Sequence, residues 1–316
     1  MGTLIALLAG ATGLNEHDVR GIVRNAPVRY KTYEIPKRNG GTRTISQPAR
    51  EVKALQRVLV TEILSRLPVH PSAMAYRPGI SIKDNAAAHV ENGPILKFDF
   101  KEFFPSIVSR DWRIYCEETS LFDDLEDIFS STQILFHHMK ERPGLRLAIG
   151  APSSPCLSNV LMNKFDMRIS DLVAVNHVTY TRYADDLTFS AKRTGFLTGV
   201  ERTLRRVVRE SRSPSLTINE TKTVTATRKY KRIVTGLILT NDGNVSIGHE
   251  RKKRIRAALH HAQQGSITDS ELTRLGGLLA FVHDVEPEFF RRLVVKYGAP
   301  LLAAIQATNK TSDSDE

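Results

Sequence analysis

The chain has 316 residues, 41% of them apolar, and sets 45 Lys and Arg against 34 Asp and Glu, for a formal net charge of +11. That length can bury a sizeable core in two or three subdomains, and the charge favours polyanions, nucleic acid before acidic membrane. Cys116 and Cys156 form no C-x-x-C and the ten histidines no H-E-x-x-H, which argues against a disulfide framework or a zinc site and fits a reducing cytoplasm. No run reaches the roughly 18 apolar residues of a membrane span, so a soluble protein without a membrane partner is expected.

Residues 3–25 read as two short helices. The apolar stretch Leu4 to Ala9 resembles the core of a secretory signal, but no Lys or Arg precedes it, and we read it as a packing helix. The second helix starts at an Asn15 cap, with Glu16 and Asp18 in its first turn, and ends before Pro27. Tyr30 to Ile35 and Thr42 to Ser46 alternate as strands around a Gly-rich basic turn at 36–41. That turn is either a solvated tip or a place where Lys37 and Arg43 hold a triphosphate. Glu51 to Leu67 has helical spacing and stops at Pro68, and the helix from Ser81 puts Asn85 and His89 on one face. Ile95 to Phe100 is a buried strand with one acid inside it; Asp99 must be neutral, salt-bridged or facing a cation. Residues 112–140 read as helices whose acidic stretch, 123–127, is a solvated face.

The loop Gly150-Ala151-Pro152-Ser153 leads into a helix with Ser154 as cap and Pro155 at its first position; it is either a plain capped helix start or a place where free backbone N–H groups touch a nucleic-acid strand or a nucleotide. Residues 177–182 and 187–190 are strands that meet at Tyr183-Ala184-Asp185-Asp186. Alone, two Asp at a hairpin tip are ordinary turn residues. With Asp99 they make three carboxylates that neighbouring strands could bring together, a hard-oxygen set of the kind Mg²⁺ takes. Beyond lie a basic helix at 200–212, a strand at 216–223, a hairpin from 233–239 and 245–247, a helix opening with Arg251-Lys252-Lys253-Arg254, a last helix at 287–297 and a polar tail.

The ordered series resembles a retron-type bacterial reverse transcriptase from about Tyr30 to about Ile247. It comprises the basic hairpin ending in Arg43, Phe98-Asp99-Phe100 with Phe103-Phe104-Pro105-Ser106, the Gly150 loop, Tyr183-Ala184-Asp185-Asp186, and Asn219 with Lys222-Thr223. Asn85 with His89 matches the retron N-A-x-x-H, and Val234-Thr235-Gly236 the retron V-T-G. Ile149 stands where many relatives carry Gln. The resemblance implies an α+β right-hand polymerase fold with fingers, a palm with an antiparallel sheet and a short helical thumb. The expected division is N-terminal helices and fingers at 1–94, palm at 95–248 with a finger insert at about 116–148, thumb at 249–308 and disordered tail at 309–316. The implied activity is RNA-directed DNA synthesis on a cognate structured non-coding RNA, primed from its own 2′-OH, giving a branched RNA–DNA, in anti-phage defence.

The resemblance also assigns roles. Asp99, Asp185 and Asp186, with the Phe100 carbonyl, would hold two Mg²⁺ ions, and Lys222 would protonate the leaving pyrophosphate. Lys37, Arg43, Phe104 and Gly150 would bind the dNTP, with Phe104 under its sugar. Asn85, His89, Val234, Thr235, Gly236, Arg251, Lys252, Lys253 and Arg254 would meet the RNA. An effector protein would be a further partner. The alternatives are another bacterial reverse transcriptase, defence-associated or intron-derived, and a catalytically silent RNA-binding protein of the same fold.

Overall fold

The computed structural model describes residues 3–37 and 40–312; the tip of the first hairpin at 38 and 39 and the last four residues of the expected tail lie outside them. The chain divides into two compact units, one of residues 1–80 and 96–225, the other of 81–95 and 226–316. The division differs from boundaries at 94 and 248: residues 81–95 and 226–248 group with the C-terminal helices, because helix Ile82–Val90 packs on the small sheet that follows residue 226.

In the first unit, strands β1 (Tyr30–Pro36) and β2 (Thr42–Pro48) form a largely exposed antiparallel hairpin. Strands β3 (Ile95–Asp99), β6 (Thr179–Tyr183), β7 (Asp186–Ser190) and β8 (Val224–Ala226) make a four-stranded sheet in the order β6-β7-β3-β8; the short pair β4 (His137–His138) and β5 (Leu145–Arg146) stands apart. Phe98, Phe100 and Phe189 of this region are buried with Trp112, Leu157, Phe165, Ile169 and Leu204 from surrounding helices, so the sheet is a packed layer and not a solvated ribbon. The second helix starts at Asn15 as expected, its side chain accepting from the Asp18 N–H at 2.9 Å. Three local readings change. Asp127 is buried rather than solvated; it accepts from the Thr3 hydroxyl at 2.9 Å and the Leu4 N–H at 3.2 Å, capping a helix far away in sequence. Helix Ser154–Leu161 has no side-chain cap, and the hydroxyls of Ser153 and Ser154 are buried without a partner among the described residues. Residues 216–223 are not a strand: only Ile218 bridges to Phe100, after which Glu220–Lys222 form a 3₁₀ turn.

In the second unit, β9 (Arg232–Val234), β10 (Leu237–Leu239) and β11 (Val245–Ser246) form a sheet in the order β11-β10-β9, so the expected hairpin contains a further turn at Thr235-Gly236. Helices His249–Gln263, Asp269–Val285, Pro287–Tyr297 and Ala299–Ser312 complete the unit around Leu259, Leu279, Val282 and Phe289. The last of them runs four residues into the stretch expected to be a tail. No helix among the described residues is long and apolar enough to cross a membrane.

Candidate active site

The β6–β7 hairpin pairs Tyr183 with Asp186, leaving Ala184 and Asp185 as its two-residue tip. Ala184 has φ +58, a conformation that costs a non-glycine residue energy and persists where neighbours hold it. They do. The guanidinium of Arg182, fully buried, donates to both oxygens of Asp166 (Nη2 to Oδ2 2.6 Å, Nε to Oδ1 2.8 Å), to Asn159 Oδ1 at 3.2 Å and, through Nη1, to the Ala184 carbonyl at 3.2 Å. Tyr180, two residues back on the same strand face, adds its hydroxyl to Asp166 at 2.8 Å. The turn is therefore braced from behind by a paired internal charge.

Next to it runs β3. The Phe100 N–H donates to the Asp185 carbonyl at 3.0 Å, and the Asp99 carbonyl accepts from the Asn219 N–H at 2.7 Å. These main-chain bonds bring Asp99, Asp185 and Asp186 into one electrostatic neighbourhood. Burial first, then the Asp99 charge, raises Asp185 to a pKa of about 6. Asp186 is also raised by burial, opposed by Lys97, whose Nζ lies 3.9 Å from its Oδ2. Lys222 Nζ reaches both oxygens of Asp99, at 2.9 and 2.8 Å, and Asn219 Nδ2 lies 3.3 Å from Asp99 Oδ1. Burial alone would lower the Lys222 pKa; the bond and charge of Asp99 raise it, so the ammonium is held protonated. Among the described residues no group of three or more His, Cys, Asp or Glu side chains is placed to hold a metal ion. The three carboxylates thus share this edge with two ammonium groups, Lys222 on Asp99 and Lys97 near Asp186.

The residues expected around a nucleotide fall in the same unit. Phe104 sits two residues after Glu102, itself at φ +48, with its ring 5.5 Å from that of Phe103 and 6.2 Å from Tyr76. Gly150 has φ +117, and a Cβ there would lie 2.9 Å from Ile45 Cγ2 and 3.1 Å from the Ser46 carbonyl. The Gly150 loop is thus clamped to β2, where the Ser46 N–H also donates to the Ile149 carbonyl at 2.7 Å; close packing alone requires this glycine. Lys37 and Arg43 are exposed at either side of the β1–β2 turn.

The residues expected to meet RNA fare differently. Asn85, His89 and Val234 are buried, at 1%, 0% and 0% exposure, and the two retron motifs pack on each other: Asn85 Nδ2 lies 3.4 Å from Thr235 Oγ1, which donates to the Ile82 carbonyl at 3.1 Å. Asn85, His89 and Val234 thus lie inside a junction, while Thr235 is half-buried and Gly236 exposed. Thr235 and Gly236 form its turn, at φ +45 and +78. Lys252 is ion-paired with Glu286, and Arg251 lies over the Phe281 ring at 5.5 Å. Lys253 and Arg254 remain exposed. Sequence reasoning missed Arg182 and Asp166; the available signal was an arginine in the middle of an otherwise core-forming strand, as anomalous as Asp99.

Residues 35–256 match the family described as reverse transcriptase (RNA-dependent DNA polymerase). The chain is 34% identical over 281 residues to the Retron Ec83 reverse transcriptase of Escherichia coli, covering 88% of this chain and 89% of that one. It is 32% identical over 299 residues to the Retron Mx65 reverse transcriptase of Myxococcus xanthus, covering 91% and 69%. Among solved structures, apo telomerase from Candida tropicalis superposes with a TM-score of 0.54 at 12% identity, over 90% of this chain and 63% of that one. Candida albicans telomerase with a fragment of telomeric RNA gives 0.51 at 15%, over 89% and 59%. Both likenesses concern the fold, that of the right-hand polymerases. The chain belongs to the reverse transcriptase family and is an RNA-directed DNA polymerase of retron type.

Proposed function

We propose that this polymerase copies part of a cognate structured RNA, starting from a 2′-hydroxyl of that RNA, so that the product is a branched RNA–DNA. The observation that carries the catalytic part is the convergence of Asp99, Asp185, Asp186 and Lys222 on one edge of the sheet. Asp99 and Asp185, with Asp186 and the Phe100 carbonyl, supply the oxygens for two Mg²⁺ ions, and their mutual crowding is what a cation relieves. When bound, the ions activate the attacking hydroxyl and stabilise the leaving pyrophosphate. Lys222, kept protonated by Asp99, is the proton donor to that pyrophosphate. Lys37 and Arg43 neutralise the triphosphate, the Gly150 loop brings its backbone up to the nucleotide, and Phe104 fills the space a ribose 2′-OH would need.

Recognition of the cognate RNA falls to exposed cations, of which Lys253 and Arg254 are the candidates left once the enclosed side chains are set aside. An RNA helix presents phosphates and 2′-hydroxyls, which such side chains read as shape and charge. We place the work in the cytoplasm, where the unpaired Cys116 and Cys156 stay reduced, and in phage defence alongside an effector protein, on the strength of the retron relationship. The test is incubation of the enzyme with the RNA encoded beside its gene, dNTPs and Mg²⁺. The expected product carries a 2′,5′ linkage that a debranching enzyme opens, and Lys253→Glu with Arg254→Glu weakens self-priming more than extension of an annealed primer. An unbranched product means another kind of reverse transcriptase; binding without incorporation means a silent RNA-binding protein.

A further inference from the structure

Tyr76 stands out on backbone and side chain together. It is a non-glycine residue at φ +60, and the residue is 46% exposed, so core packing does not account for it. The backbone around it is fastened on both sides. Arg182 of β6 donates its N–H to the Ser72 carbonyl at 2.7 Å and accepts from the Met74 N–H at 2.8 Å, while Asn159 Nδ2 donates to the Ala75 carbonyl at 2.8 Å. From the other side, Arg77 Nη1 donates back to the carbonyls of Pro71 and Ala73, at 3.1 and 3.2 Å. Strain held this firmly fixes the direction in which the side chain leaves the backbone.

It points at the site. The Tyr76 ring centroid lies 6.2 Å from that of Phe104 at an interplanar angle of 38°, so the two rings touch and form one surface instead of flanking an open slot. The phenol also feels the catalytic edge: its pKa is raised by burial and then by Asp185 and Tyr183, and lowered by Arg43 and Arg182. The sugar of a nucleotide joins the reacting phosphate to the base, and a ring packed against Phe104, the residue expected under that sugar, extends the same surface.

We propose that Tyr76 is a nucleotide-selecting residue, forming with Phe104 one continuous aromatic wall against which the sugar of the incoming dNTP is seated. This rests on the polymerase site proposed above. The test is single-nucleotide incorporation on an annealed primer–template with dATP and ATP, together with thermal melting. Tyr76→Ala should raise KM for dATP about tenfold with kcat changed less than about threefold, and narrow the dATP-over-ATP preference about tenfold. Tyr76→Phe keeps the ring and should stay within about twofold of wild type on both counts. Tyr76→Gly removes the left-handed strain, so it should melt above Tyr76→Ala yet share its KM defect. A folded Tyr76→Ala with wild-type KM and preference overturns the proposal, as does a Tyr76→Phe as impaired as the alanine variant. Phe104→Ala tells the two failures apart: if it too leaves KM and preference untouched, the pocket reading falls; if it alone alters them, only Tyr76 falls.

Discussion

The hairpin that carries Asp185 and the hairpin of β9 and β10 share a plan. Each turns on two residues with a non-glycine at positive φ, Ala184 at +58 and Thr235 at +45, and each is backed by a buried arginine, Arg182 or Arg232. The arginines are satisfied in opposite ways. Arg182 is matched by the Asp166 carboxylate, whereas among the described residues Arg232 donates only to main-chain carbonyls, those of Asn92, Gly93, Leu239 and Thr240, and its Nε has no partner. The tips differ too. The first is braced from behind and holds Asp185 and Asp186 half-buried beside Asp99; the second is fastened at its tip, through Thr235, to helix Ile82–Val90. A turn that presents chemistry needs its support underneath, and a turn that joins elements needs it at the end.

The largest expected effect separates the tips. Asp185→Asn should cut DNA synthesis at least about a thousandfold, since a metal oxygen is lost at the reaction centre, while RNA affinity changes less than about threefold because no basic surface is touched. It should also melt no lower than wild type, because it removes a charge that burial and Asp99 already disfavour. Near-normal incorporation would sink the metal assignment.

The next effect separates the arginines. Arg182→Met strands Asp166 as a buried, unpaired carboxylate, which costs about 3–5 kcal/mol in urea unfolding, and adding Asp166→Asn should recover part of it. Arg232→Met strands only carbonyls, a loss of about 1–3 kcal/mol with no carboxylate to rescue. Equal losses, or no recovery in the double variant, would erase the distinction drawn here.

How far the sequence reveals these two hairpins follows from how local each signal is. Asp185 and Asp186 are legible because alternating strands and a tight turn are written in adjacent residues, and Asp99 because a lone acid in a five-residue buried strand breaks the pattern. The second hairpin is hidden: Thr235-Gly236 lies inside an apolar run that reads as one strand from 233 to 239, and only the pairing of Val234 with Leu237 shows it to be a turn. Arg182 and Asp166 belong to different elements, and nothing in either segment names the other. The same holds for Lys252, whose basic run reads as a surface until its partner Glu286, at the start of another helix, is brought beside it. Charge is easy to count along a chain, but whether it is solvated or paired is a tertiary fact.

The smallest effect tests what the retron motifs do. Thr235→Ala removes the hydroxyl that donates to the Ile82 carbonyl and accepts from Asn85, for a loss of about 1 kcal/mol. Asn85→Ala should cost a similar amount, again about 1 kcal/mol, and the double variant less than the sum, by about 0.5 kcal/mol, since both remove one shared bond. Because Asn85 is enclosed and Thr235 half-buried against it, cognate RNA binding should fall only as far as the folded population does. An Asn85→Ala protein that melts like wild type, yet loses its cognate RNA while still extending a generic primer, would show that Asn85 reaches RNA directly and that the junction opens when RNA binds.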